Sequence, residues 1–384
     1  MTVLDLTDSQ RDIQAVAREF AQREIAPHAA AWNEDCHVPL DVIRRMAQLG
    51  LLGVTIPEEY GGSGLGSLTM TLVMEEIARA DAGTSVALAV QDGLVGAPIA
   101  RHGSEAQKRQ WLPLLASGER FGAYGLTEPG VGSDTAGLST RAEQQPDGSF
   151  VVSGAKTWIS NGGFAGLLVL FARTDGPGAS GVSAFLTEPG PGFTVSRELP
   201  KMGLHSSSTV ELAFDGLRIP ADGLLGERGR GLRIALETLD GGRITVAAQA
   251  CGIAQAALDV ATEYATQRNA FGGPIARFQG VQFPIADVAA QLHAARLATH
   301  HAARRRDAGK PHGTEGAMAK LVASATAVRA ADVAVQTLGG YGYSAEYAAE
   351  RLYRDAKITE IYEGTSEIQR LVIARSLLGD AARA

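Results

Sequence analysis

GLLVLFART, residues 166–174, and GVSAFLTE, residues 181–188, are short apolar runs divided by the Gly- and Pro-rich segment DGPGASG. Their length and their Val, Leu and Phe content suit buried strands, and the segment between them suits a chain reversal. SFVVSG (149–154), FTVSREL (193–199) and TVELAFDGLRI (209–219) repeat the pattern, spaced by PDG and EPGPG. Together they predict an all-β domain over residues 121–228.

On both sides the periodicity turns helical. In residues 1–120, Thr7 and Gln10 form a capping-box pair ahead of Ile13, Val16, Ala17 and Phe20 on one face. Pro39 opens a second helix that stops near Gly50, and residues 67–80 supply a very apolar third. In residues 229–384, helical segments near 229–266, 281–308, 314–338 and 346–378 are joined by short loops, which predicts a four-helix bundle. The fold class is therefore mostly α with a central β domain. Helix, β, helix is not the order of a doubly wound sheet, so a dinucleotide here would not sit on a strand–glycine–helix turn. GGSGLG, 61–66, lacks the G-x-G-x-x-G spacing and reads as a flexible turn.

Composition narrows the function. The 384 residues are 45% hydrophobic but only 6% aromatic, and a formal charge of −7 argues against a nucleic-acid partner. HHAARRR, 300–306, reads as a solvated helix end. Cys36 and Cys251 are too few for a disulfide framework and too far apart for zinc spacing, which predicts a reducing compartment and no metal. The N-terminus MTVLDLTDSQRDIQ carries acids where a signal peptide carries bases, and no run of 18 apolar, uncharged residues occurs, so a cytoplasmic chain that spans no membrane is expected.

IYEGTSEIQR, 361–370, poses the chemical question. Thr365 and Ser366 are good N-cap residues for a helix continued by Glu367, Ile368, Leu371 and Val372. Glu363 lies just outside it, between Tyr362 and Gly364 in an apolar stretch. One reading is a carboxylate that offsets a helix dipole; the other is a base aimed into a pocket. YGLTEPGVGSD, 124–134, offers turns and backbone N–H groups for an anion or a ring edge, or a plain surface loop. KTWIS, 156–160, sets an indole beside a hydroxyl, a residue usually explained as a Trp buried in a β core. LDGGR, 239–243, places Asp240 and Arg243 on one face of an apolar helix, either as a structural ion pair or for a ligand. RNAFGGPIARFQG, 268–280, and QTLGGYGYSAE, 336–346, interrupt helical sequence as connections or binding loops.

In this order and spacing, TEPG-x-GSD, K-x-WI[ST]N, LD-x-x-R, R-x-x-FG-x-P, QxLGGxGY and RDAKITEIYEGTSEIQR resemble the acyl-CoA dehydrogenase family over essentially the whole chain. The last run is most similar to the short-chain, butyryl-CoA-type members. The resemblance implies a helical N-terminal domain, a β-barrel-like middle domain and a C-terminal four-helix bundle, with FAD between the last two. It implies that Tyr124, Leu126, Thr127, Gly132, Ser133, Trp158, Ile159 and Ser160 line the flavin. Arg268, Phe271 and Gln279 would meet the diphosphate and adenosine portion, and Gln336, Thr337, Leu338, Gly339 and Gly340 would approach a cofactor held by a neighbouring subunit. Thr365, Ser366 and Glu367 would touch FAD through the helix start. Ser133, Asp240, Arg243, Tyr362 and Gly364 would contact acyl-CoA.

By the same resemblance Glu363 removes the α proton of the thioester while the β hydrogen leaves as hydride to flavin N5, giving a trans-2-enoyl-CoA. The setting would be fatty-acid β-oxidation or branched-chain amino-acid breakdown. A second branch of the family carries its base directly before the Arg of LD-x-x-R, where this chain has Gly242. A homotetramer and an electron-transferring flavoprotein as acceptor are also implied. Alternatives are an acyl-CoA oxidase, which usually runs longer, a flavin monooxygenase or nitroalkane-oxidising relative, which would lack Glu363 or replace it, and a non-catalytic flavin or acyl-CoA scaffold, which should have lost Glu363, Arg268 or the TEPG loop. Ser160 stands where many relatives carry Thr, and His205, in KMGLHSS, where an Arg is common.

Overall fold

Residues 6–382 are described by a computed structural model. The N-terminal part holds α1 (Asp8–Phe20), α2 (Ala29–Glu34), α3 (Leu40–Gln48), α4 (Ser67–Ala80), α5 (Ala82–Leu88), α6 (Ala97–His102) and α7 (Glu105–Ala116). α1 begins on the expected capping box: the Thr7 side chain accepts from the Gln10 N–H at 3.2 Å, and the Gln10 side chain accepts from the Thr7 N–H at 3.0 Å. α4 is buried from Ser67 through Ala78, as a helix apolar on nearly all sides must be.

The middle part is one sheet of β1 (Gly122–Gly125), β2 (Arg141–Gln144), β3 (Phe150–Ser160), β4 (Leu167–Arg173), β5 (Val182–Thr187), β6 (Phe193–Glu198), β7 (Thr209–Ile219) and β8 (Leu224–Leu225). Its order is β6-β7-β3-β2-β4-β5-β8, with β1 parallel to β4. β4 and β5 pair antiparallel from Leu168↔Thr187 to Arg173↔Val182. Both are buried almost throughout, which is why their sequences read as continuous apolar runs and not as alternation. β3 and β7 carry a register shift between Lys156 and Ile159. There Trp158 takes φ 61°.

The C-terminal part packs α8 (Gly231–Gln267), α9 (Gln279–Asp307) and α10 (Gly313–Leu338) against one another and against α11 (Ala348–Ile358) and α12 (Ser366–Leu378). The short strands β9 (Asn269–Ala270) and β10 (Gly273–Pro274) join α8 to α9. Buried Ala317, Ala323, Ala327, Ala331 and Ala334 on α10 and Ala247, Ala250 and Ala254 on α8 leave little side-chain bulk between the helices. α8 is long and apolar enough to cross a bilayer, but 78% of its most apolar window is buried inside the fold, as in a core helix.

Two expectations change. The fourth bundle segment, 346–378, is split after Ile358, because Glu363 and Gly364 take φ 51° and 94° and Thr365 caps a new helix. HHAARRR is not simply a solvated end. His300 is buried, Arg305 pairs with Glu315 at 3.0 Å, and the half-buried Arg306 lies against Gly241.

Candidate active site

Glu363 sits in the turn between α11 and α12. The turn starts where Thr359 Oγ1 donates to the Ala356 carbonyl at 2.7 Å, and ends where Thr365 accepts the Ile368 N–H at 3.4 Å. A left-handed backbone at a non-glycine residue persists only when its surroundings hold it. Here they do. Lys320 of α10, fully buried, donates from Nζ to the carbonyls of Thr359 (2.9 Å) and Gly364 (2.8 Å). Gln369 of α12 donates to the Gly364 carbonyl at 2.7 Å, and the Tyr362 hydroxyl donates to Gln249 of α8.

The carboxylate itself is bare. Glu363 Oε2 is shut off from solvent and has no hydrogen-bond partner among the described residues. Burial raises its pKa to about 7, with Lys320 and Arg243 pulling the other way. A carboxylate ordinarily ionises near 4, so this one is placed to accept a proton near neutrality. Tyr124 of β1 shares the pocket: burial first, and the Glu363 charge second, push its phenol well up. On the α8 side, a Cβ added at Gly242 would lie 2.9 Å from Glu363 Cδ and closer still to Oε2. The carboxylate thus fills space that any side chain at 242 would need.

One residue along α8, Arg243 is buried and donates to Asp240 Oδ1 at 2.5 Å. The ion pair foreseen as the plain reading is present, yet Arg243 Nε remains buried and unpartnered. Tyr124, Arg243, Tyr362, Glu363 and Gly364 therefore converge, with Asp240 at the half-exposed edge of the group.

A second group forms around the 126–133 loop. Lys156 is fully buried and donates to the Leu126 carbonyl (3.0 Å) and to Glu128 Oε1 (2.8 Å). Glu128 also accepts from the Ser139 and Thr140 N–H groups at 2.8 and 2.9 Å. Burial opposes its charge, but Lys156 and the hydroxyls overcome that and hold its pKa at about 2. The loop so fixed presents Gly132 and Ser133 to solvent, and a Cβ at Gly130 or Gly132 would meet nothing within 4 Å. Thr127 accepts the Thr157 N–H at 3.0 Å, which brings this loop beside Trp158. Trp158 is not buried in the β core. It is 59% exposed, turned outward by the bulge in β3. Ile159 is core and offers only backbone, and Ser160 pairs with Thr209.

Arg268, at the C-terminus of α8, has no carboxylate partner among the described residues and stacks its guanidinium 5.8 Å from the Tyr341 ring centroid. With Tyr264, Thr337, Leu338, Gly339 and Gly340 it lines a cavity of about 540 Å³. Gln336, Gln279 and the 90% exposed Phe271 do not line it. At the α12 start, Ser366 bonds back to Glu360 and Glu367 pairs with Arg370 at 3.3 Å. His205 sets Nδ1 and Nε2 against the carbonyls of Asn33 (3.0 Å) and Lys201 (2.9 Å), a two-ended bridge an Arg could also make.

These features fit FAD. Trp158 offers an exposed flat ring beside an open glycine loop, and Arg268 offers an uncommitted cation in a roomy cavity. Lys320, Gln249, Gln369, Glu128 and Lys156 escaped the sequence reading. The one signal for Lys320 is a lone charge within GAMAKLVASATA, and for Glu128 and Lys156 a charge inside a motif that also holds glycines or an indole.

Comparison with known proteins adds the family. The N-terminal, middle and C-terminal domains of acyl-CoA dehydrogenase match residues 7–119, 123–217 and 229–378. The chain belongs to the acyl-CoA dehydrogenase family. It is 47% identical to the mouse protein named short-chain specific acyl-CoA dehydrogenase, mitochondrial, covering 98% of this chain and 91% of that one. The solved butyryl-CoA dehydrogenase of Megasphaera elsdenii superposes with a TM-score of 0.96 at 44% identity, over 98% of this chain and 99% of that one. A chain from a structure described as the electron transferring flavoprotein of Acidaminococcus fermentans matches with a TM-score of 0.97 at 44% identity, over 98% and 100%. As a family member the chain is an FAD-dependent oxidoreductase.

Proposed function

We propose that this acyl-CoA dehydrogenase oxidises a short acyl-CoA between Cα and Cβ, with Glu363 as the general base for the α proton. The observation that carries the reading is the buried, unpartnered Glu363 Oε2. An α-thioester proton is too weakly acidic for a solvated carboxylate, and desolvation makes this one a stronger base. Removing the proton builds charge on the thioester oxygen, which needs a donor. The Glu363 N–H has no acceptor among the described residues and can serve. Arg243 and Asp240, with Ser133, Tyr362 and Gly364, would position the coenzyme A thioester. FAD, when bound, supplies the acceptor for the hydride that leaves Cβ.

Trp158, Tyr124, Leu126, Thr127, Gly132, Ser133, Ile159 and Ser160 would hold the flavin ring, and Arg268, Phe271 and Gln279 the diphosphate and adenosine portion. Thr365, Ser366 and Glu367 would reach it through the α12 start. Gln336 to Gly340 would serve a neighbour's FAD in a homotetramer. Short acyl chains follow the names of the mouse and M. elsdenii relatives. An electron-transferring flavoprotein as acceptor follows the A. fermentans likeness. The free cysteines Cys36 and Cys251 fit a reducing compartment such as the cytoplasm.

The test is anaerobic stopped-flow reduction of the FAD-loaded protein by butyryl-, isobutyryl-, octanoyl- and palmitoyl-CoA, in wild type and Glu363→Gln. Butyryl-CoA should be the most efficient substrate. The Gln variant should bind FAD and thioester but lose on the order of 10²–10⁴ in rate. Unchanged reduction in Glu363→Gln refutes the base, and highest efficiency on palmitoyl-CoA refutes the substrate class.

A further inference from the structure

We propose that Lys320 is a positioning residue for Glu363, tying both ends of its turn from behind and setting a positive charge beside the carboxylate. Its Nζ reaches the carbonyls of Thr359 and Gly364, which bracket the segment containing Glu363, at 2.9 and 2.8 Å. No carboxylate is within ion-pair distance of Nζ among the described residues. Two backbone carbonyls do not neutralise an ammonium, so its charge is left to act on what lies across the turn. That is Glu363, the strongest charged influence on Lys320.

A neutral donor could make the same two hydrogen bonds. A charge does something more: it stops burial from carrying Glu363 so high that the carboxylate is protonated, and useless as a base, at neutral pH. Burial alone can raise a carboxylate by up to 3–5 units, and an opposite charge nearby lowers it by roughly 1–3. The groups facing Glu363 are Lys320 from α10, Arg243 from α8 with its partner Asp240, Tyr124 from β1, and Tyr362 beside it in the turn; Glu360 lies near Lys320. Arg243 is already committed to Asp240 at 2.5 Å, whereas Lys320 has no acidic partner, so Lys320 is the cation whose removal should be felt.

The inference rests on the base reading, and its test is readable without it. Infrared difference spectra, each protein against the same protein carrying Glu363→Gln, isolate the protonated carboxyl band of Glu363. Its titration midpoint is then followed in wild type, Lys320→Met and Lys320→Arg. The midpoint should rise by about 1–2 pH units in Lys320→Met and stay in place in Lys320→Arg. The acid limb of the flavin-reduction rate should move with it, whereas a residue that only braces the turn would lower the rate at every pH without moving the limb. A folded Lys320→Met protein with an unmoved midpoint overturns the proposal. Where Lys320→Met does not fold, Lys320→Arg decides: an unmoved midpoint supports the proposal and an upward displacement overturns it. If turnover ignores Glu363→Gln, the base reading fails while this titration still reports on Lys320.

Discussion

Gly242→Ala adds one methyl group, and the structure says where it lands. The new Cβ would lie 2.9 Å from Glu363 Cδ and closer to Oε2, against an ordinary carbon contact of about 3.5–4 Å. Leu94 Cδ2, at 3.5 Å, would be in ordinary contact, so the overlap falls on Glu363 and its flexible carboxylate must retreat, by on the order of 1 Å. A misplacement of that size costs roughly 10² in rate, about 2.7 kcal/mol of barrier. Stability should respond differently. Alanine in a helix interior is favoured over glycine by roughly 0.5–1 kcal/mol, and the overlap opposes this by an amount of similar order. The prediction is a protein that melts near the wild-type temperature, keeps its FAD, and reduces it about a hundredfold more slowly with butyryl-CoA. Stopped-flow rates and a thermal melt on the same preparation decide it. Wild-type reduction rates in a folded, FAD-loaded Gly242→Ala protein would show that the carboxylate is not working from where the structure puts it.

Two further substitutions probe the cofactor-binding groups. Lys156→Met leaves Glu128 buried without its cation, which should cost about 3–5 kcal/mol and release FAD, read by thermal unfolding and flavin fluorescence. Glu128 is held at about 2, below its ordinary 4.5, so in wild type its stabilisation is present above pH 4.5 and lost as pH falls towards 2; in Lys156→Met that acid sensitivity should disappear. Arg268→Ala should weaken FAD retention and tetramer assembly together on gel filtration. A variant that ran as a tetramer with full flavin would leave no ground for a shared site.

What was legible in the sequence depended on how local its cause was. α4 runs over Ser67–Ala80, where its apolar periodicity placed it, and α1 starts on Thr7 and Gln10, because caps and helical faces involve residues a few positions apart. β4 and β5 were legible because burial on both faces writes itself as an unbroken apolar run. Glu363 was visible as a carboxylate out of place, and LDGGR as a pair of charges on an apolar face. The break at residues 359–365 was half visible, since Thr365 announces a cap but nothing local announces a left-handed glutamate. That conformation is imposed by Lys320, 43 positions away, and by Gln249 from farther still, and a periodicity scan sees neither.

The outward turn of Trp158 was hidden for a related reason. An indole on a strand reads as core by composition, and only the mismatch of β3 against β7 turns it outward. Lys320 shows what such cases share. In an Ala-rich helix its neighbours Ala317, Ala319 and Ala323 are all buried, so the stretch reads as packing surface and the lysine as an interruption. A charge costs too much to bury without a task, and here the carbonyls of Thr359 and Gly364 are what it is buried for. The rule this chain supports is therefore a search order. A lone ionisable residue on an otherwise buried helix face is best read as the anchor of an irregular segment elsewhere, and the irregular segment to try first is the one that already carries an unexplained charge.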